Sequence, residues 1–263
     1  MLGAMAGDII GSRYEFSRMK RKDFPLFPEG ASFTDDSVLT AAVADSLING
    51  RDIVECLRDW PRVVTIDATK VSGYGQRFMR WLAAPTPQPP YGSFGNGGAM
   101  RISPVAWLSP DFETMRQNVV TVTEVTHNHQ DGIAGALATA EAIWFARQNI
   151  NPAWIRDRIS LEYGYSLDKS VDELRAIHVY NETSQGCVPE AITCALEAES
   201  FEDAIRNAVS LGGDADTLAA IAGSIAEARF GVPTEIEREV RDRLDSLLLE
   251  MLDVFQDRTR ELY

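Results

Sequence analysis

Two short acidic clusters lie about 180 residues apart in this chain. The first is Thr34-Asp35-Asp36. The second is Asp214-Ala215-Asp216-Thr217, which follows Gly212-Gly213. Each sets carboxylates beside a threonine hydroxyl, and each directly precedes an apolar run of helical character. Carboxylates this close repel one another unless a cation lies between them. Hard divalent cations such as Mg²⁺ take oxygen ligands of these kinds, and four carboxylates neutralise two such ions. The chemistry these residues suit is therefore a two-metal oxygen-ligand site assembled from both ends of the chain. A structural reading competes with it, because Asp and Thr are favoured helix N-caps that satisfy orphan amides. The repetition of the pattern, with glycines beside one copy, favours metal.

Three further segments can serve such a site. In Gly95-Asn96-Gly97-Gly98-Ala99-Met100-Arg101 the glycines let the backbone approach a ligand and present amides to it, and Arg101 adds charge suited to a phosphate. This is neither a Walker loop nor a Rossmann fingerprint, because no Gly-Lys-Ser/Thr follows and no strand precedes it. The alternative is an ordinary tight turn. Thr126-His127-Asn128-His129 offers imidazoles. With only three histidines and no Cys-x-x-Cys pair, they suit substrate contact better than zinc. In Gly7-Asp8-Ile9-Ile10-Gly11-Ser12-Arg13-Tyr14-Glu15-Phe16, Glu15 is a candidate general base or supporting carboxylate, and Asp8 caps a turn or supports a ligand.

The elements that must position these groups are helices. Apolar spacing and stop signals predict helices over 1–16, the run after the first acidic cluster to Asn49-Gly50, 51–60, part of 71–82, 111–125, 131–148, 152–161, 168–176, 187–198, 201–210, 217–229 and 234–256. The small residues of the first helix, Gly3, Ala4, Ala6, Gly7 and Gly11, suit close helix–helix contact. Leu244, Leu247, Leu248, Met251, Leu252 and Phe255 form a core-facing stripe on the last. Strand-like alternation is almost absent, and the proline-rich stretch from Pro85 to Pro90 is too short to be an interdomain linker. Hydrophobic content is 45% and the formal net charge is −14. Such a surface does not attract nucleic acid, and the short basic run Arg18–Lys22 reads as a solvated loop. No apolar stretch of bilayer length and no basic leader is present, and the three scattered cysteines fit a reducing compartment. The expectation is a cytoplasmic, monomeric protein without membrane or nucleic-acid partners.

GDIIGSRYEF, FTDDS, YGSFGNGGAMR, THNH and GGDADT occur in this order between Gly3 and about Gly231. Together they resemble the ADP-ribosylglycohydrolase family, which includes dinitrogenase-reductase-activating glycohydrolases and ADP-ribosyl-acceptor hydrolases. The resemblance implies an all-α fold, one compact orthogonal multi-helix domain over 1–263, with two Mg²⁺ or Mn²⁺ ions at the base of an ADP-ribose cleft. It implies Thr34, Asp35, Asp36, Asp214, Asp216 and Thr217 as metal ligands, with Asp35 and Asp36 also counted in the catalytic set. Glu15 matches a glutamate placed near the scissile ribose. Ser93 to Met100 would wrap the diphosphate and distal ribose: Phe94 would stack on the ligand, while Gly95, Asn96, Gly97 and Gly98 line its path. Arg101 and His127 would serve the phosphate region. Ser93 stands where some members carry an acid proposed for catalysis, which points to the branch using Glu15 and tilts the expectation towards O-linked substrates.

The implied reaction cleaves C1 of the distal ribose from a protein side chain or small acyl acceptor through an oxocarbenium-like state. The implied substrate is an ADP-ribosylated protein or a small ADP-ribose conjugate. Three rivals remain: a phosphoesterase or pyrophosphatase attacking phosphorus, a non-catalytic ADP-ribose-binding module, and a helical protein whose acidic clusters are only caps.

Overall fold

A computed structural model of the chain describes residues 1–67, 69 and 73–262. Fifteen helices follow one another among the described residues: α1 Leu2–Gly11, α2 Asp35–Asn49, α3 Ile53–Val63, α4 Gln76–Ala83, α5 Gly97–Met100, α6 Ser103–Leu108, α7 Phe112–Glu124, α8 Gln130–Arg147, α9 Pro152–Tyr163, α10 Val171–Ile177, α11 Ser184–Glu197, α12 Phe201–Val209, α13 Ala215–Phe230, α14 Thr234–Arg241 and α15 Ser246–Leu262. No strand occurs among the described residues; the one isolated antiparallel bridge joins Gly95 to Thr183. No helix is long and apolar enough to cross a membrane, again among the described residues.

The seam between α1 and α13 organises everything else. Gly3, Gly7 and Gly11 recur every four residues, so they share one face of α1. A Cβ on them would come within 2.3 Å of the Gly223 carbonyl oxygen, 1.9 Å of the Ala219 carbonyl oxygen and 2.5 Å of the Ala215 carbonyl oxygen, respectively. The two backbones therefore touch along the whole of α1, as the small residues predicted. This contact carries Asp8 and the 12–17 turn to the N-terminus of α13, where the second acidic cluster lies. Around the seam, α13 packs on α8, α11 and α12, and α2 packs on α3, α6 and α15. The side chains at the heart of α2 and α13 are buried nearly all round, as befits central helices.

Some boundaries differ from the sequence expectation, each for a local reason. The first helix stops at Gly11, not at 16. There the Ser12 hydroxyl donates to the Ile9 carbonyl at 2.9 Å, and the chain turns through Phe16 with φ 60°. The expected C-terminal helix over 234–256 is two helices, α14 and α15. The Asp245 carboxylate accepts from the Leu247 amide at 2.8 Å and starts a new helix while the apolar spacing runs on. Leu244, Leu248, Met251, Leu252 and Phe255 are buried and Leu247 is exposed. The helix expected over 71–82 begins at Gln76; positions 71 and 72 lie outside the described residues. Two short helices, α5 and α6, were not expected. The Arg18–Lys22 run is not a loose solvated loop either. The Lys20 ammonium donates to the carbonyls of His178 (2.9 Å) and Leu211 (2.6 Å), and Lys22 pairs with Asp203.

Candidate active site

Three helix ends converge on the floor of a cleft of about 530 Å³. Asp8 on α1 is fully buried and acts as the organiser. Its carboxylate accepts from the Thr34 amide at 3.0 Å, the Thr34 hydroxyl at 2.7 Å, the Ser37 amide at 3.0 Å and the Ser37 hydroxyl. Asp8 thus locks the first turn of α2 onto α1. Thr34 Oγ1 donates to Asp8, and as the N-cap of α2 it accepts from the Asp36 amide at 3.3 Å. Thr34 does not line the cleft.

Of the carboxylates, Asp216 takes a first-turn amide, that of Thr217 at 2.9 Å. Asp36 is buried; its Oδ1 accepts from the Thr217 hydroxyl at 3.5 Å, and its Oδ2 has no hydrogen-bond partner among the described residues. Asp214 occupies the cap position of α13 but makes no side-chain cap bond. It turns instead to accept from Asn96 Nδ2 at 2.6 Å. Glu15, Asp214 and Asp216 each offer a carboxylate oxygen within 4.8 Å of the other two. The 12–17 turn places Glu15 there because the Phe16 amide donates to the Gly213 carbonyl at 2.8 Å and the Gly213 amide to the Ser17 carbonyl at 3.0 Å. Gly213 has φ 79°, and a Cβ there would press on the Tyr180 backbone at 3.0 Å, so glycine is the residue that fits.

Burial, with Asp8 and Asp214 as negative neighbours, pushes the Asp35 carboxyl up to about 7. Burial and adjacent carboxylates lift Asp36 and Asp216 well above the usual range, and burial also raises Asp214. Asp8 is driven up to about 6 by burial, against the bonds from Ser37 and Thr34. The protein alone supplies too little positive charge here for these acids to ionise easily. An orphaned buried carboxylate oxygen, set among further hard oxygen donors, fits divalent cations.

A wall of the cleft is built on the glycine loop, whose Asn96 side chain reaches the floor at Asp214. The Asn96 amide donates to the Glu182 carbonyl, and the Ser184 amide to the Phe94 carbonyl, both at 2.9 Å, which pins the loop to the segment before α11. A Cβ on Gly97 would lie 2.9 Å from His127 Nε2; one on Gly98 would lie 2.8 Å from Thr123 Cγ2. His127 is buried, and burial together with Arg101 and Arg77 holds its pKa well below the ordinary value, so the ring is neutral. Thr126 Oγ1 accepts from Arg101 Nη2 at 2.8 Å and lies 2.8 Å from His127 Nδ1. The Thr126 hydroxyl thus links the Arg101 guanidinium to the His127 ring, whose Nε2 is turned to the glycine loop.

Of the residues singled out from sequence, Glu15, Asp35, Asp36, Ser93, Gly95, Asn96, Gly97, Met100, Arg101, His127, Asp214, Asp216 and Thr217 line this one cleft. Thr34, Phe94 and Gly98 do not. Gly98 serves packing, and Phe94 stands 46% exposed with its ring edge-on to His129 at 5.6 Å. Sequence reasoning missed Tyr74, Arg77, Tyr91, Tyr180 and Glu182, which complete the walls. Tyr74, Tyr180 and Glu182 sit in irregular segments outside the quoted motifs, Arg77 is in the first turn of α4, and Tyr91 opens the YGSFGNGGAMR segment without having been singled out. The only available signal was the aromatic density beside the prolines and glycines.

A sequence model of the ADP-ribosylglycohydrolase family matches residues 1–262. The chain is 25% identical to the ADP-ribosyl-[dinitrogen reductase] glycohydrolase of Rhodospirillum rubrum, over 94% of this chain and 93% of that one. It is 26% identical to ADP-ribosylhydrolase ARH3 of Gallus gallus, over 88% and 84%. It is 25% identical to an ADP-ribosylarginine hydrolase of Pseudomonas putida, over 88% and 70%. A solved structure titled ADP-ribosylglycohydrolase-related protein complex superposes with a TM-score of 0.73 at 21% identity, covering 100% of this chain and 97% of that one. That likeness bears on the fold.

Proposed function

The chain belongs to the ADP-ribosylglycohydrolase family, and from that premise we propose that residues 1–263 act as one domain that hydrolyses the bond between C1 of the distal ribose of an ADP-ribosyl group and its acceptor, releasing ADP-ribose. The observation that carries this reading is the convergence of both acidic clusters and Glu15 on the floor of a cleft walled by the glycine loop. Asp35, Asp36, Asp214, Asp216 and Thr217 would hold two divalent cations, Mg²⁺ or Mn²⁺, with Thr34 supporting them through Asp8 and α2. Bound there, divalent cations supply positive charge to the ribose hydroxyls and to the attacking water.

The chain's own residues do the rest. Asn96 fixes the Asp214 carboxylate by its 2.6 Å hydrogen bond. The first-turn amides of α5 at Gly97 and Gly98, with His127 beside them and Gly95 and Asn96 along the path, would face the diphosphate, giving remote binding energy that positions C1. Met100 and Ser93 complete the loop wall, and the exposed ring of Phe94 at the mouth offers a face for the base. In the reaction the C1–acceptor bond breaks and a C1–oxygen bond to water forms. Glu15 takes the water's proton, and that proton is passed on to the departing acceptor, so that water's OH ends on C1 and its H on the acceptor. The substrate is an ADP-ribosylated protein or a small ADP-ribose conjugate.

The test is mass analysis of products from ADP-ribosylated serine and arginine peptides and O-acetyl-ADP-ribose, with Mg²⁺ or Mn²⁺. Free ADP-ribose is expected. AMP with ribose phosphate would move the attack to phosphorus, and tight ADP-ribose binding without turnover would make the protein a binding module.

A further inference from the structure

The cleft has an acidic floor and a basic wall. The floor holds Asp35, Asp36, Asp214, Asp216 and Glu15, and Glu182 lies near Asp214. An anion cannot rest among them without compensation, in a chain of net charge −14. Among the described residues lining the cleft, only Arg77 and Arg101 carry a fixed positive charge. Both stand on the wall that also contains Tyr91 and His127.

That wall is continuous. The Arg77 guanidinium lies over the Tyr91 ring, 5.1 Å from its centroid, and donates through Nη2 to the Tyr91 carbonyl. The Tyr91 ring is tilted on His127 at 6.2 Å. His127 bonds Thr126, and Thr126 bonds Arg101. The turn that sets Tyr91 is fixed as well: the Gly92 amide donates to Asn128 Oδ1 at 2.7 Å. Arg101 is 1% exposed, and its Nε and Nη1 have no partner among the described residues. It is a fixed positive charge beneath the wall, little screened by salt. Arg77 is exposed and can touch a ligand directly. A planar guanidinium stacked on an aromatic ring is pre-organised for phosphate oxygens.

We infer that Arg77, braced on Tyr91 and backed by the buried charge of Arg101, is the anion clamp that recognises the diphosphate of the ligand and sets which end of it faces the acidic floor. This rests on the ADP-ribosyl reading of the cleft. Arg77 is a binding residue and Tyr91 a positioning residue acting through it. The consequence is a requirement for a phosphorylated ligand: a neutral riboside carrying the same scissile bond is not bound.

The test measures calorimetric binding of ADP-ribose, ADP and adenosine to wild type, Arg77→Gln, Arg77→Lys and Tyr91→Leu in metal-free buffer, with turnover followed separately in Mg²⁺. Loss of a charge-assisted contact predicts that Arg77→Gln weakens ADP-ribose and ADP by about 10- to 100-fold and leaves adenosine unchanged. KM rises while kcat holds. Arg77→Lys recovers part of the loss, and Tyr91→Leu shows the same pattern at smaller size. The clamp is overturned if ADP binds Arg77→Gln as well as wild type, or if adenosine weakens in parallel. It is also overturned if wild type does not bind ADP. A wild type that binds ADP but releases no ADP-ribose from conjugates would instead overturn the hydrolase reading and leave the clamp standing.

Discussion

Helix α2 carries aspartates near both ends, and the two ends treat them in opposite ways. At the N-terminus, burial and like charges push the Asp35 carboxyl up to about 7 and Asp36 well above its usual range. Fourteen ångströms of helix, roughly nine residues at 1.5 Å each, separate them from Asp45. Asp45 is also buried, and burial alone would raise it, yet the bonds from Asn49 (2.8 Å), Trp60 Nε1 (2.9 Å) and Arg51 (2.7 Å) outweigh that and hold it low. The same side chain is satisfied where its work is structural and left short of partners where a ligand is to complete it. Unsatisfied buried charge costs stability, so its presence at one end only is the mark of a site.

The sharpest way to break this comparison is to remove both kinds of acid. Asp36→Ala is expected to abolish turnover while leaving the metal-free fold as stable as wild type or more so, because an ionised acid with a raised pKa opposes folding at neutral pH. Asp45→Ala is expected to do the reverse. It should keep kcat per folded molecule and lose about 2 kcal/mol of stability, the scale of charge-assisted hydrogen bonds. Urea unfolding in EDTA and steady-state rates in Mg²⁺ read both, and a stability loss at Asp36 matching that at Asp45 would end the distinction. Next in size is Glu15→Gln. If Glu15 handles the proton, single-turnover cleavage falls by about 10²–10⁴-fold while calorimetric ADP-ribose affinity is retained. A parallel collapse of metal affinity would place Glu15 with the ligands instead, a role its position within 4.8 Å of Asp214 and Asp216 makes worth testing.

Much of the acidic floor was legible because its signals are local. Each cluster is a short run of like charges at a helix start, and the Gly3, Gly7, Gly11 spacing announced the backbone contact that brings Asp8 to α13. The all-helical fold followed from periodicity for the same reason. The walls were not legible. Tyr74, Tyr91 and Tyr180 come from irregular segments and Arg77 from the first turn of the short helix α4, and tertiary contacts such as the stacking of Phe16 on Tyr180 at 5.1 Å turn such residues inward. The break between α14 and α15 was missed because the apolar stripe continues across it, masking the Asp245 cap. Phe94 was singled out by its place in the motif; its exposed ring stands edge-on to His129 and is not among the side chains that line the cleft.

A smaller effect is expected one layer behind the floor. Asp8 touches no ligand position, yet it accepts from both amides and both hydroxyls of Thr34 and Ser37. Asp8→Asn would set an NH₂ group against those donors and loosen the first turn of α2. Groups that orient ligands in this way are typically worth about 10- to 100-fold in metal affinity. Mg²⁺ titration of activity should show that rise in the half-saturating concentration, with near-normal rates once the site is filled. An unchanged titration would mean that α2 holds its acids without Asp8.

The smallest effect concerns the satisfied end alone and depends on pH. Because Asp45 has a folded pKa below its ordinary value, the folded state binds the proton less readily than the unfolded chain. Its contribution is therefore complete above the unfolded carboxylate value near pH ~4 and fades as pH falls through the lower folded value. Arg51 is 39% exposed, so solvent screens that pair, and the difference between wild type and Asp45→Asn should be only about 1 kcal/mol at neutral pH. Urea unfolding in EDTA from pH 7 to 3 should show this gap constant down to about pH 5 and narrowing below about pH 4. A gap that widens on acidification would mean Asp45 is held above its ordinary value like Asp35 and Asp36. The two ends of α2 would then be alike, and the contrast between satisfied and starved acids would no longer identify the site.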